Sequence, residues 1–385
     1  MRVWIAGGGT GGHIYPGLAV IQALGAERET RFLPKNLVSE KVEVLYVGGE
    51  GGVEEQLATR AGLRFVGMPA GGVHGLAPWQ AAQNLVRLIR GWGTAYRLGR
   101  RERPAALFAT GGYASVPVAL AAWALRVPIL VYLPDIEPGL AVRFIARLAA
   151  RVAVTVEDSR AYFPARKVVV TGYPVRAEFH EVDRAEARAS LGLSADELVL
   201  LVMGGSRGAR SINQALSGVP SLSRGGVLEE VLELAQVVHV SGELDWPWVA
   251  ERREALPEML KARYQAYPYL HEMELALAAA DLAVCRAGAM TLGELPFFGL
   301  PAVLVPYPYA WRYQRVNAEW LVGRGAAARL DDERLSEELL PMLRRLLSDR
   351  AKLKAMAERM RALARPDAAA RLAMELQALA VMRRV

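Results

Sequence analysis

Two stretches of this 385-residue chain share one local design, and that repetition limits the folds open to it. Residues 1–20 read MRVWIA, GGGTGG, HIYPGLAV; residues 197–216 read ELVLLVM, GGSRGAR, SINQAL. In each, an apolar run of strand length ends in a glycine-rich turn and a helical pattern follows. Pro16 reads as a first-turn residue of the first helix, where proline is tolerated. Further strand-like runs alternate with helical ones: VEVLYV, AALFAT, PILVYL, VAVTV and VVVTG in the first half, then QVVHVSG, DLAVC and PAVLVPYP in the second. Such alternation is the signature of parallel, doubly wound sheets. The pattern pauses at GYPVRAEFHEV, residues 172–182. The expectation is an α/β chain of two Rossmann-like domains, residues 1–174 and 175–366. A last helix over 367–385 then packs across either half. A length beyond that of a single core agrees. Two halves of this kind are expected to leave a cleft lined by the carboxyl ends of both sheets.

Charge and cysteine content narrow the partners. A formal charge of +7 suits an anionic partner, whether nucleotide, nucleic acid or membrane surface. The single cysteine, Cys285, excludes an intramolecular disulfide and reads as a buried strand residue in a reducing compartment. No signal-peptide pattern opens the sequence. The most apolar stretch, residues 114–133, is interrupted by Pro117, Arg126 and Pro128, so a short helix followed by a buried strand is expected rather than a membrane span.

The first glycine loop combines backbone N–H groups that can approach a ligand with the positive end of a helix, which makes an anion cradle. Its spacing is not the dinucleotide pattern. Thr10 and His13 have no use in that pattern. In MGGSRGAR, residues 203–210, three glycines open the backbone, Ser206 offers a hydroxyl, and Arg207 and Arg210 bring charge suited to a diphosphate. Residues 286–321 are the densest segment. A helix starts around Ala287 to Thr291 with Glu294 in its first turns; that carboxylate either accepts both hydroxyls of a ribose or simply favours the helix dipole. Gln314 and Asn317, three apart, share a helical face and suit sugar hydroxyls or solvent. ATGGYASVP, residues 109–117, places two glycines at a strand end with Tyr113 beyond. YLPDIEPG, residues 132–139, ends a strand with Asp135 and Glu137, each a base, a hydroxyl acceptor or a helix cap. No Asp-x-Asp and no metal-spaced His/Cys cluster occurs, so no metal and no cofactor is expected. Finally, Leu85, Ile89, Trp92 and Tyr96 recur at helical spacing among Arg87, Arg90, Arg97, Arg100, Arg101 and Arg103. This is either a helix for an anionic membrane surface or a core-facing helix with a solvated basic side.

Together, GGGTGGHIYPGLAV, ATGGYASVP, GGSRGARSIN and RAGAMTLGELPFFGLPAVLVPYP resemble, in order and over most of the chain, the motifs of the MurG family, the N-acetylglucosaminyltransferases that convert lipid I into lipid II. The resemblance implies a GT-B fold with the last helix returning to the first domain. It also implies inverting transfer from UDP-N-acetylglucosamine to undecaprenyl-linked lipid I in peptidoglycan synthesis, at the cytoplasmic face of the bacterial cell membrane, with no nucleic acid involved. The first domain takes the acceptor and membrane, and the second takes the UDP-sugar. Carried over by position, Thr10, Gly11, Gly12, Asp135, Arg176, Ser206, Leu270, Gln314 and the run Ala289, Met290, Thr291, Leu292, Gly293, Glu294 are donor contacts. Arg176 and Ser206 lie on the diphosphate side, Leu270 at uracil and Glu294 on the ribose. Tyr113 and Glu137 are assigned to the acceptor side, and His13 and Asp135 are the candidate bases. The family's His-Glu-Gln-Asn is replaced here by Tyr132, Leu133, Pro134 and Asp135, and its Gly-Asn-Pro-Val-Arg reads Gly-Tyr-Pro-Val-Arg. Another lipid acceptor and a UDP-sugar epimerase are the alternatives.

Overall fold

The computed structural model describes residues 1–8, 11–26, 42–51, 53–71, 78–205, 208–218, 226–309 and 312–383. The chain divides into two compact units, Met1–Ala177 with Arg365–Val385, and Glu178–Ala364. In the first, β1 (Arg2–Gly7), β2 (Glu43–Gly49), β3 (Arg64–Met68), β4 (Ala106–Gly111), β5 (Ile129–Leu133), β6 (Arg151–Val154) and β7 (Val168–Val170) form one parallel sheet in the order β3-β2-β1-β4-β5-β6-β7. Because strand side chains alternate between faces, Val3 and Ile5 enter one core and Trp4 and Ala6 another. The first core is closed by α1 (Gly11–Ala26) and by the C-terminal helix Ala368–Met382, which contributes Leu372, Leu376 and Leu379. The second is closed by α3 (Pro78–Glu102) and α4 (Ser115–Ala124), while α2 (Val53–Arg60) follows β2. Residues 114–133 are thus helix α4 and strand β5, and no helix among the described residues is long and apolar enough to cross a membrane.

In the second unit, β8 (Val199–Met203), β9 (Gln236–Val240), β10 (Tyr264–Tyr267), β11 (Leu282–Cys285), β12 (Ala302–Leu304) and β13 (Ala327–Arg329) form a parallel sheet ordered β10-β9-β8-β11-β12-β13. Its core gathers Leu200, Val202, Ile212, Val231, Val284, Leu339 and Leu343. Cys285 is buried, and that burial pushes its thiol up to about 12.

Two local expectations shift. Helix α1 begins at Gly11, so Pro16 lies inside it rather than in its first turn, and it has no N–H to offer the Gly12 carbonyl. Helix α3 packs the reverse of a core-facing helix. Its small residues Gly91, Ala95 and Gly99 are buried, and a Cβ on Gly91 would lie 2.3 Å from the Pro69 carbonyl. Of its large apolar residues, Leu85, Ile89 and Trp92 face outward together with Trp79, Trp79 62% and Ile89 58% exposed, whereas Tyr96, expected in the same stripe, packs partly buried against the core with Leu98.

Candidate active site

Open α/β sheets take ligands where the strand order reverses, beyond the carboxyl ends of the strands. In the first unit the reversal lies between β1 and β4, and these strands end together, Gly7 paired with Gly111. The two glycine turns named from the sequence therefore meet. Gly112, at φ 79°, comes so close to Gly8 that a Cβ there would sit 2.0 Å from the Gly8 carbonyl. Ser115 Oγ donates to the Ala6 carbonyl at 3.2 Å and pairs with that of Gly111, while Tyr46 OH donates to Gly7 O at 3.2 Å. Gly11, Gly12 and His13 form the first three positions of α1, at the helix end that carries partial positive charge. Their side chains, and Thr10 altogether, lie outside the described residues. Tyr113, beside the second turn, is exposed.

One strand further, the β5–α5 turn carries Asp135 and Glu137 ahead of helix α5 (Leu140–Leu148). Two hydroxyls hold its backbone. Thr155 Oγ1 lies 3.0 Å from Leu133 O and 2.9 Å from Pro134 O, and Ser159 Oγ donates to Ile136 O at 2.9 Å. Asp135 is half-buried and Glu137 only 5% exposed. Tyr132, at the first of the replaced family positions, belongs to the core: it is fully buried, stacked on Phe108, and hydrogen-bonded to Thr155 and the Gly172 carbonyl. Burial raises its phenol pKa well above the ordinary value. Arg176 lies within this first unit, its guanidinium 5.4 Å from the ring centre of Tyr15 on α1.

In the second unit the reversal lies between β8 and β11, with Met203 paired to Cys285. The second glycine turn leaves β8 there, and the segment from Arg286 leaves β11 beside it. Ser206 and Arg207 lie outside the described residues. Gly208, at φ 75°, abuts the end of β9, where a Cβ would meet Ser241 O at 2.1 Å. Asn213, on the helix Arg210–Ser217, fixes this packing by donating to Ser241 O at 2.8 Å and Asp245 at 2.9 Å. Since its amide N–H groups are used there, its Oδ1 accepts from His239 Nε2 at 2.9 Å, which leaves His239 Nδ1 to accept from Tyr264 OH at 2.6 Å. Burial pulls this imidazole down to about 3 despite the opposing pull of Asp245. Arg210 is held by Asp245 at 2.9 Å.

The segment after β11 is a 3-10 turn, Ala289–Leu292, then a short helix, Glu294–Phe298, rather than one helix from Ala287. Thr291 Oγ1 donates to Gly288 O at 2.7 Å and is buried, so its hydroxyl serves the turn. Ala289, Thr291, Leu292 and Gly293 are buried, while Met290 and Glu294 are half-exposed. Glu294 stands close enough to Cys285 to raise that thiol further. The expected pairing of Gln314 and Asn317 separates. Asn317 is buried and donates to Ala287 O at 3.1 Å, and Gln314 Oε1 accepts from Tyr307 N at 2.8 Å, which leaves its amide N–H groups for another partner. Leu270 is half-buried beyond the end of β10.

Two groups were not singled out from the sequence. Glu54 is 3% exposed beside the first glycine turn and accepts from Gly49 N at 3.2 Å; a Cβ on Gly8 would lie 2.3 Å from its Oε1. Its signal was a glycine pair running into an acidic helix start, GGVEE. Arg286 joins the β11 end to Ser211 at 2.7 Å, to Asp332 and to the ring of Tyr307 at 5.2 Å. That knot depends on Asp332, far along the chain.

The first unit matches the glycosyltransferase family 28 N-terminal domain over residues 3–154, and residues 199–372 match the family 28 C-terminal domain. A relative from Roseiflexus sp. (strain RS-1) is 44% identical over 431 residues, covering all of this chain and 96% of its own; it is named a UDP-N-acetylglucosamine–N-acetylmuramyl-(pentapeptide) pyrophosphoryl-undecaprenol N-acetylglucosamine transferase. The crystal structure of Acinetobacter baumannii MurG superposes with a TM-score of 0.70 at 24% identity, covering 98% of this chain and 99% of that one. UDP-GlcNAc 2-epimerase from Neisseria meningitidis superposes at 0.63 with 12% identity, 98% and 99% covered, so the fold alone does not separate transferase from epimerase. Full-length identity does, and the chain belongs to the MurG family of family 28, GT-B glycosyltransferases.

Proposed function

We propose that the chain transfers N-acetylglucosamine from UDP-N-acetylglucosamine to the muramyl 4-hydroxyl of lipid I, with inversion, to give lipid II. The observation that carries this reading is the full-length relative named for that transfer, 44% identical from end to end. The acceptor oxygen attacks the sugar C1 as the bond from C1 to the diphosphate oxygen breaks. The hydroxyl proton passes to a base, and UDP leaves with the bonding electrons. His13 at the start of α1 or Asp135 in the pinned β5 turn takes that proton, a role of general-base type. Glu294 accepts the ribose hydroxyls, the turn Ala289–Gly293 lines the nucleotide, and Leu270 offers its backbone to uracil. Gln314 meets a sugar hydroxyl through its free amide N–H groups. Departing charge falls to backbone N–H groups of the second glycine turn, to Ser206 and to Arg176. Tyr113 and Glu137 serve the acceptor.

The acceptor's polyprenyl chain remains in the bilayer, so the first unit must reach the membrane surface. The outward Trp79, Leu85, Ile89 and Trp92 of α3, flanked by exposed Arg87, Arg90 and Arg97, supply the apolar and cationic terms for peripheral docking on the cytoplasmic leaflet.

Incubation with radiolabelled UDP-N-acetylglucosamine and either a lipid I analogue or diacylglycerol tests the assignment. A disaccharide product from the lipid I analogue alone is expected. Product from diacylglycerol alone reassigns the acceptor, and free UDP-N-acetylmannosamine without acceptor reassigns the enzyme as an epimerase.

A further inference from the structure

The amino-terminal end of the first sheet carries a cavity that the transfer reaction does not use. It measures about 470 Å³ and is lined by Arg2, Arg100, Arg103 and Arg383, with Ala105 and Leu125 beneath them. Arg2 opens β1 and Ala105 precedes β4, so the cavity sits at the amino ends of the strands whose carboxyl ends carry the glycine turns. A six-residue strand separates the two by roughly 20 Å. Four guanidinium groups line the cavity, and no side-chain carboxylate does among the described residues.

Nearby acids are already committed. Glu102, 8% exposed, pairs with Arg2 at 3.0 Å, Arg101 at 3.3 Å and Arg64 at 3.8 Å, and Glu43 pairs with Arg2 at 2.8 Å. Arg383 spends donors on the carbonyls of Pro104 and Leu125, the latter at 3.3 Å, and partial burial lowers its pKa. Those two carbonyls lie near the ends of α3 and α4, so attraction to helix C-termini accounts for Arg383. It applies to Arg103 as well, one residue past the end of α3, but not to the backbone conformation there. That residue follows α3 at φ 48°, a left-handed conformation that glycine adopts freely and L side chains resist. Arg126, next to cavity-lining Leu125, follows α4 in the same way at φ 56°. They are the two non-glycine residues of positive φ among the described residues, and both are arginines at this end of the sheet. Arg100 and Arg103 have no carboxylate partner among the described residues.

We infer that this cavity is a second anion site, separate from the glycosyl-transfer site, that takes a phosphate-bearing group through the forked donors of Arg100 and Arg103, the Arg2 fork being held by Glu43 and Glu102. Arginine forks match phosphate oxygens in pairs, and the volume falls in the range of small-ligand sites. Free phosphate compounds and lipid headgroups carry the same chemistry, and the test separates them.

Pyrophosphate is titrated into the full-length protein by calorimetry with UDP present in excess, so that the nucleotide turns are filled. The informative variant is Arg100→Gln with Arg103→Gly, because glycine suits the backbone at 103 and folding should hold, as a melting curve checks. Arg344→Gln with Arg345→Gln removes the same charge from exposed positions of the second unit, which forms no part of the cavity or of the membrane-facing helix, and serves as the control. A free-phosphate ligand predicts pyrophosphate binding at least tenfold weaker in the 100/103 variant and unchanged in the control. A headgroup ligand predicts no pyrophosphate binding but retention on phosphatidylglycerol vesicles, not on phosphatidylcholine, that falls in the 100/103 variant more than in the control. Equal losses in both variants, or no binding of either probe, overturn the inference.

Discussion

At the residue scale, Glu294 and His239 show how one charge or proton is set by its surroundings. Glu294 opens a five-residue helix at the strand-order reversal, half-exposed and close to Cys285. A charged hydrogen bond is worth about 1.5–3 kcal/mol, so Glu294→Ala should raise the KM for UDP-N-acetylglucosamine roughly ten- to a hundredfold at saturating acceptor. An unchanged donor KM removes Glu294 from the site. His13→Ala should lower kcat by about 10²–10⁴-fold while calorimetric donor binding stays near that of the parent. Normal turnover in that variant would make Asp135 the base. His239 reports on stability instead. Its folded pKa of about 3 lies below the unfolded value of 6.5, so the folded state resists protonation. Stability is then full above pH 6.5 and declines as pH falls toward 3; between pH 7 and 5 the loss is about 2 kcal/mol. Urea unfolding of His239→Gln should show lower stability at pH 7 but a flatter acid limb, and an equal acid slope in both proteins would show that His239 is not the titrating group.

At the element scale, what the sequence revealed and what it hid have physical reasons. Strands buried on both faces, such as ILVYL and VLLVM, are continuous apolar runs and stand out. The strands not anticipated, β3, β10 and β13, are sheet edges, half-exposed and only three to five residues long, so neither a run nor an alternation marks them. The glycine turns were legible because the same residue type is needed at every close approach. Asp332 was not, since its partners Arg286 and Ser211 lie far from it in the chain, and nor was Glu54, because its place beside Gly8 is set by the pairing of β1 with β2. Helix α3 was legible as amphipathic yet ambiguous in direction, because periodicity does not say which face meets the core. Gly91, Ala95 and Gly99 decide it: small residues permit the close approach of the backbone, and the large apolar stripe is left outside. Each arginine near an anionic surface contributes about 1 kcal/mol. Replacing Arg90, Arg97 and Arg101 with Glu should therefore abolish sedimentation with anionic liposomes and spare transfer to a short-chain soluble acceptor. Retained sedimentation would place the membrane face elsewhere.

At the scale of the whole molecule, the first unit is completed by residues from the far end of the chain. The helix Ala368–Met382 buries Leu372, Leu376 and Leu379 beside Ile5, Ile14, Phe108 and Tyr132, and it packs on α1, β4 and β5. Arg383, just past its end, reaches Pro104 and Leu125. The loop and sheet carrying the first glycine turn thus rest on a helix synthesised after all of the second unit. Deleting buried methyl groups without repacking leaves a cavity, and Leu to Ala at such a site costs about 2–5 kcal/mol. That cost should fall on one unit. The Leu376→Ala variant is expected to lose hydrogen-exchange protection in β1, β4 and β5 while β8, β9 and β11 keep theirs, because each sheet has its own core. Donor binding by the second unit should survive as transfer fades. Equal loss of protection in both sheets would mean that the two units unfold as a single cooperative body, and that the C-terminal helix stabilises the second unit as much as the first.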